Sequence, residues 1–287
     1  MILLDVGGTF VKSSLGIAGK GAVEGTFAST PISSDGTAEE IAASFREAVS
    51  GQMERAEAEG ISISTVSVVM PGPFDYKGNG VFLMKHKFAA VYGKTFREVL
   101  GDAITPETRL VFAHDVNGAL MGALMLYPEL AKGNVAISTL GTGLGFAHAI
   151  DGVVQESATG SPAVDIWNAP YNGSILEDFV SRRAILRFYA EQGGILADGE
   201  DVKEIAYKAR EGDEKALEAF RQAGLHYAAG AKDVLGRLKI RHLLFAGQIA
   251  KSFDLMEKEI VEGLGGEIKV SVVDDIQGTV LTGIASL

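Results

Sequence analysis

The residues with the most legible chemistry stand near the start of the chain. There the apolar run Ile2-Leu3-Leu4 delivers Asp5 to Gly7-Gly8-Thr9, and the chain returns as a second apolar stretch carrying Lys12. A strand, a glycine turn and another strand make a hairpin tip suited to phosphate. Gly7 and Gly8 carry no Cβ and can take positive φ, so backbone N–H groups of the tip can face an anion; Thr9 adds a hydroxyl and Lys12 a point charge. Asp5 has the wrong sign to touch phosphate directly. It fits if a divalent cation lies between the two through water.

The device recurs where Val135–Thr139 runs into Leu140-Gly141-Thr142-Gly143-Leu144-Gly145 and then Phe146–Ile150. A dinucleotide loop needs a helix after its glycines, and a Walker loop needs Gly-Lys-Ser/Thr at a helix start, so both are excluded. One such turn alone is more often a plain tight connection. Two of them, each flanked by strands and set in separate halves, point to a two-lobed phosphate clamp.

A third feature supplies a carboxylate. Arg109–Ala113 reads as a buried strand ending at His114-Asp115, and Asn117–Leu124 follows with the small residues of a tightly packed helix. Asp115 therefore stands at a helix N-terminus, where the dipole and free N–H groups favour the ionised form that a general base needs. The plainer role there is an N-cap. Phosphate turns on both sides favour catalysis. Phosphoryl transfer to an alcohol asks a protein to position phosphate, neutralise charge and offer a carboxylate to the attacking hydroxyl, and each part has a candidate here.

The elements that must hold these residues follow from pattern. Ile2–Asp5, Val11–Ile17 and Val23–Thr30 are expected as a three-strand meander, and Thr37 to Glu59 as an amphipathic helix with Thr37 and Glu40 forming a capping box. Thr65–Met70 is a buried strand leading into Pro71-Gly72-Pro73. In the second half, Asp213 to Arg237 carries apolar residues at helical spacing, Leu243–Phe245 is a strand, Phe253–Gly263 a helix, Ile268–Val272 a strand and Gln277–Leu287 a closing helix. Strands followed by helices in each half indicate a duplicated α/β unit. The expected lobes are 1–115 and 116–287, with a hinge between them and the last helix packing back on the first lobe.

Composition narrows the function. The 287 residues, 47% of them apolar, suffice for two packed cores; the absence of cysteine excludes disulfides and thiolate metal sites, and five scattered histidines lack paired ligand spacing. Structural zinc is not expected. A net charge of −11 without a basic stripe argues against nucleic acid. The start is too polar after Leu4 for a signal peptide and every apolar run is too short for a membrane span, so a cytoplasmic protein with a small-molecule partner is expected.

Four linked motifs carry a family resemblance: Asp5-x-Gly7-Gly8-Thr9-x-x-Lys12, Pro71-Gly72-Pro73-x-Asp75, Asp115-x-Asn117 and Leu140-Gly141-Thr142-Gly143-x-Gly145. In this order they resemble the ROK family of repressors and sugar kinases, within the actin, hexokinase and heat-shock chaperone ATPase superfamily. The resemblance implies a duplicated ribonuclease-H-like fold with a central cleft, ATP and Mg2+ as reactants, a sugar acceptor, and a homodimer. It makes Asp115 the catalytic base. It also implies that Glu177, in Asn172-Gly173-Ser174-Ile175-Leu176-Glu177, binds sugar, and that Gly247 and Gln248, after Ala246 in place of a glycine, meet the nucleotide.

The departures bear on substrate. His114 stands where most members have asparagine beside the base, and Ser161-Pro162-Ala163-Val164 falls where the family has Glu-x-Gly-His and its zinc loop. Met84-Lys85-His86-Lys87-Phe88 occupies the place of a substrate loop, so Gly72, His86, Lys87, His114 and Glu177 form the expected substrate set. An anionic or unusually substituted sugar suits those cations; an exposed basic loop is the plainer reading. The leading expectation is a glucokinase-like, ATP-dependent sugar kinase. The alternatives are a non-catalytic sugar-sensing regulator, which would lack the helix-turn-helix since the phosphate motif begins at Asp5, and a kinase of a non-sugar alcohol.

Overall fold

The computed structural model describes residues 1–287, which form two compact units. The first comprises Met1–Pro128, Val154–Ala163 and Gln277–Leu287; the second comprises Glu129–Val153 and Val164–Ile276.

In the first unit, β1 (Ile2–Val6) and β2 (Phe10–Ile17) form the expected antiparallel hairpin, in a register that sets Asp5 opposite Lys12. The third strand of the meander is broken. Only β3 (Gly21–Ala22) and β4 (Ala28–Pro31) pair with β2, because Gly25 takes φ +76° and the Thr26 hydroxyl accepts from Leu15 N–H and donates to Val23 O, which turns the chain between them. Helix α1 (Ala38–Ala58) starts with the capping box foreseen, Glu40 N–H donating to Thr37 Oγ1 while Thr37 N–H donates to Glu40. Strands β5 (Thr65–Met70) and β6 (Arg109–His114) add in parallel beside β1. Between them the chain is held by buried rings, Phe74, Phe82 and Phe88 before the short α2 (Phe96–Leu100) and Phe96 within it, which pack on Phe45 of α1 and Phe112 of β6. Burying such a ring is worth about 1.5–3 kcal/mol, so this cluster gives an otherwise irregular segment a fixed course. Helix α3 (Asp115–Leu126) follows β6 without a loop.

The second unit repeats the plan. Strands β7 (Asn134–Leu140) and β8 (Leu144–Ile150) form an antiparallel hairpin, with β9 (Val153–Val154) on its edge; a two-stranded ribbon, β10 (Pro170–Tyr171) and β11 (Ser174–Ile175), precedes α4 (Arg182–Glu191), α5 (Val202–Arg210) and α6 (Glu214–Arg237). Strand β12 (His242–Ala246) pairs in parallel with β7, and after α7 (Glu257–Leu264) β13 (Lys269–Val272) pairs in parallel with β12. The order β2-β1-β5-β6 in one sheet and β8-β7-β12-β13 in the other is the same, with the same strand directions, which is the duplication expected. The helix expected over Phe253–Gly263 is two pieces, the end of a 3-10 stretch over Ile249–Leu255 and α7, because Met256 at φ −133° leaves helical geometry between them. No helix is long and apolar enough to cross a membrane.

The closing helix α8 (Ile276–Ile284) lies almost wholly in the first unit, where it packs on α3 at backbone contact. A Cβ on Gly122 would overlap the carbonyl oxygen of Thr279, and one on Gly283 would overlap that of Gly118. The small residues of α3 thus serve an approach that larger side chains would prevent.

Candidate functional site

Parallel strands that end together present their following residues at one edge, the usual place for ligands in such sheets. Asp115 is the first residue of α3, and the N-cap is His114. Its Oδ1 lies 2.8 Å from Nδ1 of His114 and accepts the Val116 N–H at 2.7 Å. Surrounding protein atoms push this carboxyl up, but the charge and hydrogen bond of His114, the Val116 N–H and the Lys87 ammonium together outweigh that and hold it below the ordinary carboxylate value. The Asp115 side chain remains 44% exposed, open to a reactant. Tyr76 completes this corner: its ring lies 5.6 Å from that of His114, and its hydroxyl donates to Met70 O at 3.0 Å. Burial and the Asp115 charge raise the phenol, so it stays protonated. Gly72 sits against both, with a Cβ position 3.2 Å from Tyr76 Oη and 3.5 Å from the His114 ring.

Asp5 and Lys12 pair across the first hairpin, Nζ to Oδ2 at 3.3 Å. Gly7 N–H closes the tip onto Phe10 O at 2.9 Å, and Gly7 and Thr9 are exposed. Neither Gly7 nor Gly8 uses the positive φ that the sequence allowed; what they supply is an uncovered backbone. Burial pushes the Asp5 carboxyl up, Lys12 draws it back and the Asp115 charge pushes it up again, leaving it above its ordinary value. Such a carboxylate is under-neutralised. A divalent cation would supply the missing charge, and one carboxylate plus waters is a donor set that suits magnesium.

Lys87 reaches the same tip: its Cε and Nζ lie 3.9 Å from where a Gly8 Cβ would be. His86 is exposed beside it. Residues 154–163 return to this unit and dock on α3 through buried Asn117, whose Nδ2 donates to Gly160 O at 3.2 Å and to Glu156 Oε1 at 3.4 Å; Glu156 in turn pairs with Lys77. Ser161 and Pro162 follow directly on this docked turn.

In the second unit Gly141, Thr142 and Gly143 form the tip between β7 and β8, with Gly141 N–H donating to Gly143 O and Arg182 N–H to Gly141 O. Glu177 braces this tip. Its Oε2 accepts Leu144 N–H at 3.0 Å and would lie 2.6 Å from a Gly143 Cβ, while Arg183 holds Oε1 at 3.2 Å. Gly247 follows β12 with φ +97°, and a Cβ there would overlap Leu140 O, so glycine is required on both counts. A cavity of about 750 Å³ opens beside Gly141 and Thr142, lined also by Arg182, Tyr207, Gln248 and Lys251. That volume suits a nucleoside-sized ligand.

Residues 2–279 match the model of the ROK family. The chain belongs to the ROK family. Among solved structures, a ROK family glucokinase from Streptomyces griseus in complex with glucose and AMPPNP has a TM-score of 0.76 at 20% identity, covering 99% of this chain and 97% of that one. A ROK hexokinase from Thermus thermophilus has a TM-score of 0.73 at 21% identity, covering 100% and 96%. A ROK family transcriptional regulator, a homologue of the E. coli MLC protein, has a TM-score of 0.75 at 16% identity and covers 100% of this chain and 77% of that chain. The fold is accordingly the actin-like ATPase fold. No curated protein matches the chain by sequence.

Of the expected site residues, Asp5, Gly7, Gly8, Thr9, Lys12, Gly72, His86, Lys87, His114 and Asp115 lie in the first unit, and Gly141, Thr142, Gly143, Glu177, Gly247 and Gln248 in the second. Sequence reading missed Tyr76, Arg182, Tyr207 and Lys251. Tyr76 lies in the Pro71–Asp75 motif's immediate wake and was within reach; the others sit on helices and a 3-10 turn whose exposed charges look like any solvated face until the sheet edge beside them is known.

Proposed function

We propose that this ROK protein is an ATP-dependent kinase that transfers the γ-phosphate to a hydroxyl of a hexose or hexose derivative, with Asp115 as general base. The observation that carries the reading is the state of Asp115. Both of its contacts fall on Oδ1, it is held ionised at the first turn of α3, and Oδ2 is left to take a proton. The acceptor hydroxyl gives its proton to Asp115, its oxygen forms the new bond to the γ-phosphorus, and the bond from that phosphorus to the β,γ-bridging oxygen breaks, releasing ADP. Gly72, His86 and His114 are assigned to the acceptor, and Glu177, which the sequence pointed to as a sugar ligand, to holding the Gly143 tip that it braces. Gly7, Gly8, Thr9, Lys12 and the tip Gly141-Thr142-Gly143 are assigned to phosphates, and Gly247 and Gln248, with the cavity beside Thr142, to the rest of the nucleotide. Asp5 would hold Mg2+ through water, and the ion supplies neutralising charge when bound.

The kinases among the ROK structures of like fold support a sugar acceptor, and the Streptomyces griseus complex supports an adenine nucleotide donor. A second reading, a sugar sensor without turnover, draws on the regulator of like fold and on Ser161-Pro162-Ala163-Val164 in place of the family's acidic motif. The test is ADP release with Mg-ATP across hexoses, amino sugars, N-acetylated sugars and sugar acids, with Asp115→Ala alongside. Turnover that vanishes in the variant, with ATP still bound, is the expected result. Silence across the panel with sugar still bound by calorimetry selects the sensor, and full turnover in Asp115→Ala overturns the role of the base.

A further inference from the structure

Lys87 is placed with more care than an exposed loop lysine needs. The residue after it, Phe88, has a fully buried ring packed 5.8 Å from Phe45 and 6.0 Å from Phe82, and its backbone stands at φ +53°, a left-handed conformation uncommon for a bulky side chain. Phe88 N–H donates to Ser34 O at 2.7 Å, and Ser34 N–H donates to Gly8 O at 3.1 Å. A core anchor and a two-bond backbone bridge therefore tie the base of the Lys87 side chain to the first phosphate tip. At its far end the ammonium stays exposed, 3.9 Å from the Cβ position of Gly8. The other lysine of the tip, Lys12, is already engaged by Asp5 at 3.3 Å, whereas no carboxylate lies within ion-pair distance of Lys87.

We infer that Lys87 contacts the transferred phosphoryl group, as a donor-side residue and not as a reader of the sugar. The inference rests on the kinase reading, since it places the migrating phosphate where both the tip and the base can act on it. Lys87 stands between them: its Nζ lies 3.9 Å from the Cβ position of Gly8, and its charge lowers the Asp115 carboxyl. A point cation there meets the γ-phosphate oxygens of the donor and the charge spread over them during transfer. The anchored backbone sets the point from which the Lys87 side chain reaches the tip, so the ammonium needs little reorganisation to meet the phosphoryl group.

Calorimetry with Mg-AMPPNP and Mg-ADP on the wild type, Lys87→Met and Lys87→Arg tests this without turnover. Lys87→Met is expected to weaken AMPPNP about tenfold and leave ADP unchanged, with Lys87→Arg recovering part of the loss. With an acceptor that turns over, kcat in Lys87→Met falls roughly 100-fold at unchanged acceptor KM. Equal AMPPNP affinity in wild type and Lys87→Met overturns the inference, as does a rise in acceptor KM at full kcat, which would move Lys87 to the sugar. The melting temperature, expected to stay put for an exposed side chain, guards against a folding defect. If the wild type phosphorylates nothing, the kinase reading fails while the AMPPNP-to-ADP ratio still decides whether Lys87 meets the γ-phosphate.

Discussion

At the scale of single residues, the pairing of His114 with Asp115 sets the pH behaviour of the base. The groups facing this carboxylate are His114, Lys87, Tyr76 and Asp5; His114, the Val116 N–H and Lys87 together lower it further than burial raises it. A carboxyl depressed on folding contributes stability above its ordinary pKa and loses it as pH falls through the lower, folded value. Asp115 is accordingly ionised across the neutral range. Replacing His114 by Asn removes the 2.8 Å partner, so the carboxyl rises and the acid limb of kcat/KM is expected to move to higher pH; an unmoved limb in the pH profile would show that His114 does not tune the base. Asp5 has the opposite sign. Its carboxyl is raised on folding, so its contribution is complete below the ordinary value and lost as pH climbs through the raised one, which makes the ionised form a cost at neutral pH. Asp5→Asn should therefore raise the melting temperature of the free protein at pH 7 and abolish the increment added by Mg-ATP over ATP alone, both read by differential scanning fluorimetry.

Elements show which local signals survive packing. The α1 capping box was plain from Thr37 and Glu40 because both partners lie within one turn and depend on nothing else. A run such as Val23–Thr30 reads as one strand by pattern, yet Gly25 and Thr26 turn it, and Gln52 Nε2 from α1 donates to Ser13 Oγ and Thr26 O across the bend, a contact no local window contains. Glycines divide in the same way. Gly51, exposed on α1, has nothing within 4 Å of its Cβ position, so Gly51→Ala should stabilise by roughly 0.4–1 kcal/mol. Gly122→Ala, also in a helix, should instead destabilise by about 1–3 kcal/mol, since the methyl group meets the backbone of Thr279. Chemical denaturation of the pair checks the contrast; equal and favourable effects would mean that α3 and α8 do not pack at backbone distance.

For the molecule as a whole, the chain order and the units disagree. Residues 277–287 belong with the N-terminal sheet although the preceding segment, 164–276, builds the second unit. Ending the chain at Ile276 is thus expected to loosen a distant element: amide exchange across α3, around residues 116–124, should accelerate by orders of magnitude while β7 and β12 keep their protection. Unchanged protection in α3 would show that α8 is dispensable there.

The sequence by itself determined the two hairpin tips, the carboxylate at the head of α3, most of the strands and the family, because each depends on residues close together in the chain or on motifs in fixed order. Tertiary structure decided the partners. Glu177 as the brace of Gly143 and Lys87 beside Gly8 are meetings of segments far apart in the chain, whereas His114 as N-cap and ion pair of Asp115 and Tyr76 against Gly72 are neighbours whose geometry the backbone around them sets. Within each unit they arise beside the ends of its own sheet's strands, and pairing register and ring packing, which have no signature in local spacing, fix which side chains arrive there.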